Sequence, residues 1–188
     1  SMPEELLKKK FKNTEIWSRG VNHEKFSKFN KLNLGKGPIF SYIGRVATEK
    51  NVEAFLKIKL DGTKVVVGDG PQLNSLKKKY PDVNYVGYQH GQDLVDYYAS
   101  SDVMVFPSLT DTFGNVITEA NATGTPVAAF NVIGPKDIIV NGINCYIGDD
   151  LKSNIINCIN LDRTKCQEYT KKFNWKECSR VFYDNVVA

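Results

Sequence analysis

The absences in this chain narrow its class first. No apolar run approaches the ~20 residues that a membrane-spanning helix needs, and the start reads as carrying no secretory leader. Ser1-Met2 reads as a tag remnant and is set aside. Cysteine is scarce. Cys145, Cys158, Cys166 and Cys178 form no Cys-x-x-Cys pair, and His23 and His90 stand far from them in sequence. A zinc site or a disulfide framework is therefore not expected. A reducing compartment is, with the thiols as small core residues. A basic excess is missing from most of the chain. Residues 1–36 hold nine basic groups against four acidic ones, while the remainder holds 16 against 17. A nucleic-acid partner would need cations spread over a folded face, so none is expected. The cluster Lys8-Lys9-Lys10-Phe11-Lys12 reads as a solvated helix face, with contact to anionic lipid as the minority reading. The expected location is cytoplasmic, with peripheral membrane attachment left open.

What is present is ordinary in bulk and regular in order. The 188 residues are 41% hydrophobic and 24% charged, which fits one globular domain with an appendage. Residues 3–12 read as a helix, and residues 13–37 as a connector in which Trp17 and Val21 pack. Short apolar strands then alternate with helical patterns. Strands are expected at Ile39–Ile43, Lys64–Val67, Val83–Val86, Asp102–Phe106, Val127–Phe130 and Asn144–Ile147. Helices are expected at Asn51–Lys59, Gln72–Lys79, Asp93–Ser100, Asn115–Thr123 and Pro135–Val140, with a helical remainder from Leu151 to Val187. This alternation implies an α/β fold: a doubly wound, Rossmann-like, six-stranded parallel sheet covered on both faces. Ligands of such sheets bind beyond the carboxyl ends of the strands, so the loops there are where chemistry should appear.

Three of those loops are unusual. After the first strand, Gly44-Arg45-Val46-Ala47-Thr48-Glu49-Lys50-Asn51 places two cations five residues apart. Arg45 can fork onto two phosphate oxygens and Lys50 supplies a point charge. The competing structural reading pairs either cation with Glu49. After the second strand, Val67-Gly68-Asp69-Gly70-Pro71 allows a tight turn with exposed backbone, but Leu73 stands where the dinucleotide fingerprint needs its third glycine. After the third, Gly87-Tyr88 offers an aromatic face to a base, against a core or edge tyrosine as the alternative. The fourth strand runs into PSLTDTFGNVITEANATGTP, residues 107–126. There Gly114 permits close approach of a ligand to the backbone, and a helix start can face an anion. Asp111 and Glu119 bracket one pocket; the structural alternative is a cap at Asp111 or Thr112 and a solvated Glu119. The polarity of Asn121 and Thr123 in this helix has no account at this level.

Together, GRVATEKN, VGDGP and DTFGNVITEANATGTPVAA, in that order, resemble the C-terminal, donor-binding half of a GT-B-fold retaining glycosyltransferase of family 4, over roughly residues 39–150. The resemblance implies that Arg45 and Lys50 hold the diphosphate of a UDP- or GDP-sugar. It implies that Glu119 bonds the ribose and Asp111 the sugar hydroxyls. The backbone of Gly114, Asn115 and Val116, flanked by Thr112 and Phe113, would meet the sugar and β-phosphate. Gly44, Gly68 and Gly70 would line the site, and Val86 and Tyr88 would lie near the base. No cofactor and no metal are implied, and the chain has no Asp-x-Asp motif. The acceptor would be a glycan or a lipid. Asp111 stands where Glu is commoner, and Thr-Asp-Thr-Phe-Gly resembles subgroups that transfer mannose or sulfoquinovose. On this reading residues 1–36 are linker and remnant of a first domain, 37–150 bind the donor, and 151–188 pack back toward that first domain, with Trp175, Val181, Phe182 and Val186 presented to it. The chain would be half an enzyme, inactive alone. The alternatives are a non-catalytic nucleotide-binding or protein-interaction module on the same fold, and a sugar-nucleotide epimerase.

Overall fold

A computed structural model describes residues 19–111, 113–132, 136 and 138–186. Its centre is one sheet of six parallel strands: β1 Ile39–Ile43, β2 Thr63–Val67, β3 Asn84–Gly87, β4 Val103–Phe106, β5 Val127–Ala129 and β6 Cys145–Ile147. They lie in the order β3-β2-β1-β4-β5-β6. The strands alternate between two hydrophobic cores. Ile39, Ile43, Val65, Val67, Met104 and Phe106 point into one. Phe40, Tyr42, Val66, Val103 and Val105 point into the other. Every residue of β1 and β4 is buried. That is why these segments read as continuous apolar runs rather than alternating ones. The chain runs outward from β1 to β3, then restarts at β4 on the other side of β1. The carboxyl ends of β1 and β4 thus form the topological switch point where such sheets bind ligands.

All six expected strands are present, within a residue or so at each end. The helices differ more. The expected Asn51–Lys59 helix is shortened to Val52–Leu56 and is preceded by a separate 3-10 turn, Thr48–Lys50. Asn51 sits between them in the left-handed region at φ 52°, and its side-chain amide donates to the Pro107 carbonyl at 3.1 Å. A contact with the β4 loop therefore overrides local helix propensity. A continuous Pro135–Val140 helix is not formed. Pro135 and Asp137 lie outside the described residues, but Ile138–Val140 is turn and irregular chain. Asn144 captures that backbone: its Oδ1 accepts from Val140 N at 2.8 Å, and its amide donates to the Ile138 carbonyl at 3.1 Å. The expected helix at 3–12 and Trp17 also lie outside the described residues.

The connector contains an unexpected helix, His23–Ser27, capped by Asn22, whose Oδ1 accepts from Lys25 N at 3.0 Å. It is tied down at both ends. Val21 N donates to the Phe173 carbonyl at 3.0 Å, and Asn30 N donates to Asp96 Oδ1 at 2.9 Å. Phe26 between them is buried. Three helices follow the sheet, Leu151–Cys158, Arg163–Thr170 and Trp175–Val186. Asp150 and Asp162 cap the first two. On the last, Trp175, Phe182, Tyr183 and Val186 are exposed, whereas Val181 is half-buried.

The polar residues of the Asn115–Ala122 helix now have a reason. Asn121 and Asn144 are both buried and bonded to each other, Nδ2 of Asn144 to Oδ1 of Asn121 at 2.7 Å. Asn121 also donates to the Thr125 and Asn144 carbonyls, at 3.0 and 3.1 Å. Thr123 and Thr125 continue the network to Arg163. These groups satisfy backbone that would otherwise be buried without partners. The four cysteines are free and buried, as expected. Burial pushes the Cys158 thiol up to about 12 and that of Cys166 to about 11.

Candidate functional site

Adjacent loops can meet over the switch point because they carry glycine. A Cβ on Gly68 would lie 1.9 Å from the Gly44 carbonyl oxygen, and one on Gly70 2.3 Å from that of Val46. The backbones of the β1 and β2 loops therefore touch, joined by hydrogen bonds from Gly44 N to Val67 O and from Val46 N to Asp69 O, both 2.9 Å. Gly114, at φ 84°, starts the Asn115–Ala122 helix with no side-chain cap. This turn sets Gly114, Asn115 and Val116 beside Ile43 and Phe106, the last residues of β1 and β4.

Two hollows adjoin there, both lined by Ile43, Gly44, Arg45 and Val116. The smaller, about 190 Å³, also takes in Lys50, Ser108, Asp111, Gly114 and Asn115. The larger, about 510 Å³, takes in Gly68, Tyr88, Tyr98 and Glu119. Arg45 thus stands where the two meet, with Lys50 and Asp111 in one and Lys25, Asp69 and Glu119 in the other. Their combined size suits a ligand made of two linked parts.

The charges are arranged unequally. Lys50 Nζ is 2.7 Å from Asp111 Oδ2, and both side chains are largely withdrawn from solvent. Arg45 faces Glu49 at 3.5 Å, but both are mostly exposed, so solvent screens the pair and the guanidinium is easily redirected. Tyr42 steadies the loop beneath, its phenol donating to the Arg45 carbonyl at 2.6 Å. Glu119 accepts from the buried phenol of Tyr98 at 2.8 Å. Burial pushes the Glu119 carboxyl above its usual range, while the Tyr98 bond and the charge of Lys25 pull it back.

The residues singled out in the sequence divide. Arg45, Lys50, Asp111, Glu119, Gly44, Gly68, Tyr88, Gly114, Asn115 and Val116 all line one hollow or the other. Gly70, Val86 and Phe113 line neither. Gly70 packs on the Val46 backbone. Val86 joins the core, and its carbonyl accepts from Gln89. Phe113 turns inward to the Phe173 ring, edge-on at 6.5 Å. Thr112 lies outside the described residues. Lys25, Tyr98, Gln89 and His90 were not anticipated, although all four line the larger hollow. Only His90 had a local signal: it follows Tyr88 by two residues, and their rings stack at 6.0 Å. Among the described residues no group of three His, Cys, Asp or Glu is set to hold a metal ion, and no helix is long and apolar enough to cross a membrane.

A family model described as glycosyl transferases group 1 matches residues 37–160. A GDP-mannose-dependent alpha-mannosyltransferase of Corynebacterium glutamicum is 36% identical over 143 residues, 71% of this chain and 35% of that protein. One of the same description from Mycobacterium tuberculosis is 33% identical, over 72% of this chain and 38% of its own length. The chain thus spans about a third of the length of these curated relatives. Among solved structures, sucrose-phosphate synthase from Thermosynechococcus elongatus superposes with a TM-score of 0.74 at 25% identity, over 98% of this chain and 55% of that one. An Anabaena protein solved in complex with UDP-glucose gives 0.74 at 18% identity, over 89% and 56%. The second likeness speaks for the fold alone.

Proposed function

This chain belongs to the group 1 glycosyl transferases, and from that premise we propose that it is the donor-binding half of a retaining, metal-independent hexosyltransferase, with GDP-mannose as its donor. The observation that carries the reading is the pair of hollows joined at Arg45, with Lys50 and Asp111 in the smaller and Glu119 in the larger. The nucleoside occupies the larger hollow, with its ribose on Glu119 and its base toward Tyr88. The diphosphate crosses at Arg45, and the hexose enters the smaller hollow. The choice of mannose and guanine rests on what the curated relatives are named for.

The hard step is departure of a nucleoside diphosphate from the anomeric carbon, with negative charge growing on the leaving phosphate. Arg45, Lys50 and the start of the Asn115–Ala122 helix line the two hollows before the donor arrives, so side-chain turns alone bring them onto that charge. In the empty site Lys50 and Asp111 face each other as an ion pair. When the donor enters, Lys50 turns to a phosphate oxygen and Asp111 to a sugar hydroxyl, and each trades one charged partner for another. The acceptor, a glycan or a lipid, approaches from a further domain that completes the cleft and covers the exposed face of the last helix.

Calorimetric titration of the chain with GDP-mannose and UDP-glucose tests this reading. Binding of GDP-mannose, with a matching rise in melting temperature, is the expected result. Preference for UDP-glucose would correct the donor, and binding of neither would overturn the reading. For a protein that includes the further domain, release of nucleoside diphosphate only with acceptor present is expected.

A further inference from the structure

Under the larger hollow lies a contact that the proposed reaction does not itself require. Tyr98 is on the Gly91–Ser100 helix and Glu119 on the Asn115–Ala122 helix, 21 residues apart. Tyr98 has no exposed surface. Its phenol donates to Glu119 Oε2 at 2.8 Å. The ring is held by that of Phe26, 6.0 Å away and tilted 59°, and the Tyr98 carbonyl accepts from the buried Thr125 hydroxyl at 2.7 Å. The donor is thus immobile before any ligand arrives, whereas a glutamate on a cavity wall otherwise samples several rotamers.

We propose that Tyr98 is a positioning residue for donor recognition: it locks Glu119 by one carboxylate oxygen, so that the other is aimed into the larger hollow at the ribose hydroxyls. The inference rests on the reading that Glu119 meets the ribose. Fixing the side chain in advance removes an ordering cost from binding. Occupying one lone pair of Oε2 from below also narrows the geometries in which the carboxylate can accept from a vicinal diol. A second role follows from charge. Burial disfavours the ionised carboxyl, and the Tyr98 bond and Lys25 are the two influences that restore it. Lys25 reaches the hollow from the His23–Ser27 helix, and Arg45, Asp69 and His90 stand on its other walls. Tyr98 therefore helps keep Glu119 an acceptor at neutral pH. Without it the carboxyl protonates at higher pH and becomes in part a donor.

The test uses Tyr98→Phe, which keeps the ring and removes only the hydroxyl. GDP and its 2′,3′-dideoxy analogue are titrated by calorimetry from about pH 5 to 8. GDP affinity is expected to fall about tenfold at neutral pH, the scale of one hydrogen bond to a charged group. The acidic limb of its pH profile should move to higher pH, and the dideoxy analogue should be unaffected. In a Glu119→Ala background, where the phenol has no side chain to hold, Tyr98→Phe should cost no further affinity. Equal losses for both nucleotides with no shift of the limb, or no loss at all, would overturn the proposal. Should Tyr98→Phe not fold, Glu119→Asp tests the link from the other side. Its shortened arm keeps the charge but withdraws from the phenol, so GDP affinity should drop to that of Glu119→Ala, and wild-type affinity would overturn the idea. If the wild-type chain binds GDP and these variants behave as wild type, only the Tyr98 inference falls. If the wild-type chain binds no nucleoside diphosphate, the functional reading falls and takes this one with it.

Discussion

The two ends of the Asn115–Ala122 helix both carry polar residues and use them in opposite ways. At the far end, Asn121, Thr123, Thr125 and Asn144 are buried and bonded to one another and to backbone. At the near end, Gly114, Asn115, Val116 and Glu119 face open hollows, and the helix starts with no side-chain cap. One end has its hydrogen-bonding capacity consumed by the fold; the other retains capacity for a ligand. Composition does not separate the two. What separates them is whether another element of the same chain covers the polar atoms.

Substitutions at the two ends should therefore fail in different measurements. The largest effect is expected at the closed end. Asn121→Ala strips donors from two buried carbonyls and an acceptor from Asn144, so urea denaturation should show a loss of about 2–4 kcal/mol, with nucleotide affinity of the folded fraction retained. A loss of affinity without a loss of stability would erase the distinction. Next comes Lys50→Ala at the open end. It should weaken nucleotide-sugar binding by about 1.5–3 kcal/mol, roughly ten- to a hundredfold in calorimetry, while the melting temperature moves less than in Asn121→Ala. Gly114→Ala probes the hinge between the regimes. An L-residue at φ 84° is strained, and its Cβ would lie 3.0 Å from Ile117 Cδ1. A stability loss of about 1–2 kcal/mol is expected, with weaker binding as the helix start shifts.

The smallest effect has the opposite sign. Glu119 is held above its ordinary range chiefly by burial. A carboxyl whose folded value is raised adds stability below its unfolded value and loses it as pH rises through the folded one. At neutral pH the ionised Glu119 therefore burdens the fold. Glu119→Gln should raise stability there by about 0.5 kcal/mol, with the gain vanishing in acid, while binding falls. Thermal melts at about pH 4 and pH 7 would check the sign. A destabilised variant at neutral pH would mean that the open end serves folding as much as the closed one does.

Much of the fold was legible because it follows from local and periodic features. Apolar runs such as Ile39–Ile43 and Val103–Phe106 mark strands buried on both faces. The loops after them stand out by glycine and charge, which is why Arg45, Lys50, Asp111 and Glu119 could be named from sequence. The errors lie where a distant contact overrules a local preference. Asn51 leaves the helix to bond Pro107, and Asn144 unwinds the segment before it. Phe113 sits inside a site motif yet packs against Phe173.

The sequence by itself determined the order of strands and helices along the chain, the rim of the sheet on which glycine and charge gather, and the family. Only the tertiary structure decided which groups meet there. Lys50 finds Asp111 across 61 residues, Tyr98 finds Glu119 from another helix, and Lys25 reaches the hollow from a segment that reads as mere connector. A strand buried on both faces is an unbroken apolar run of consecutive residues, so it is written locally. A contact between two side chains on separate elements depends on the register of the whole sheet and leaves no periodic trace along the chain.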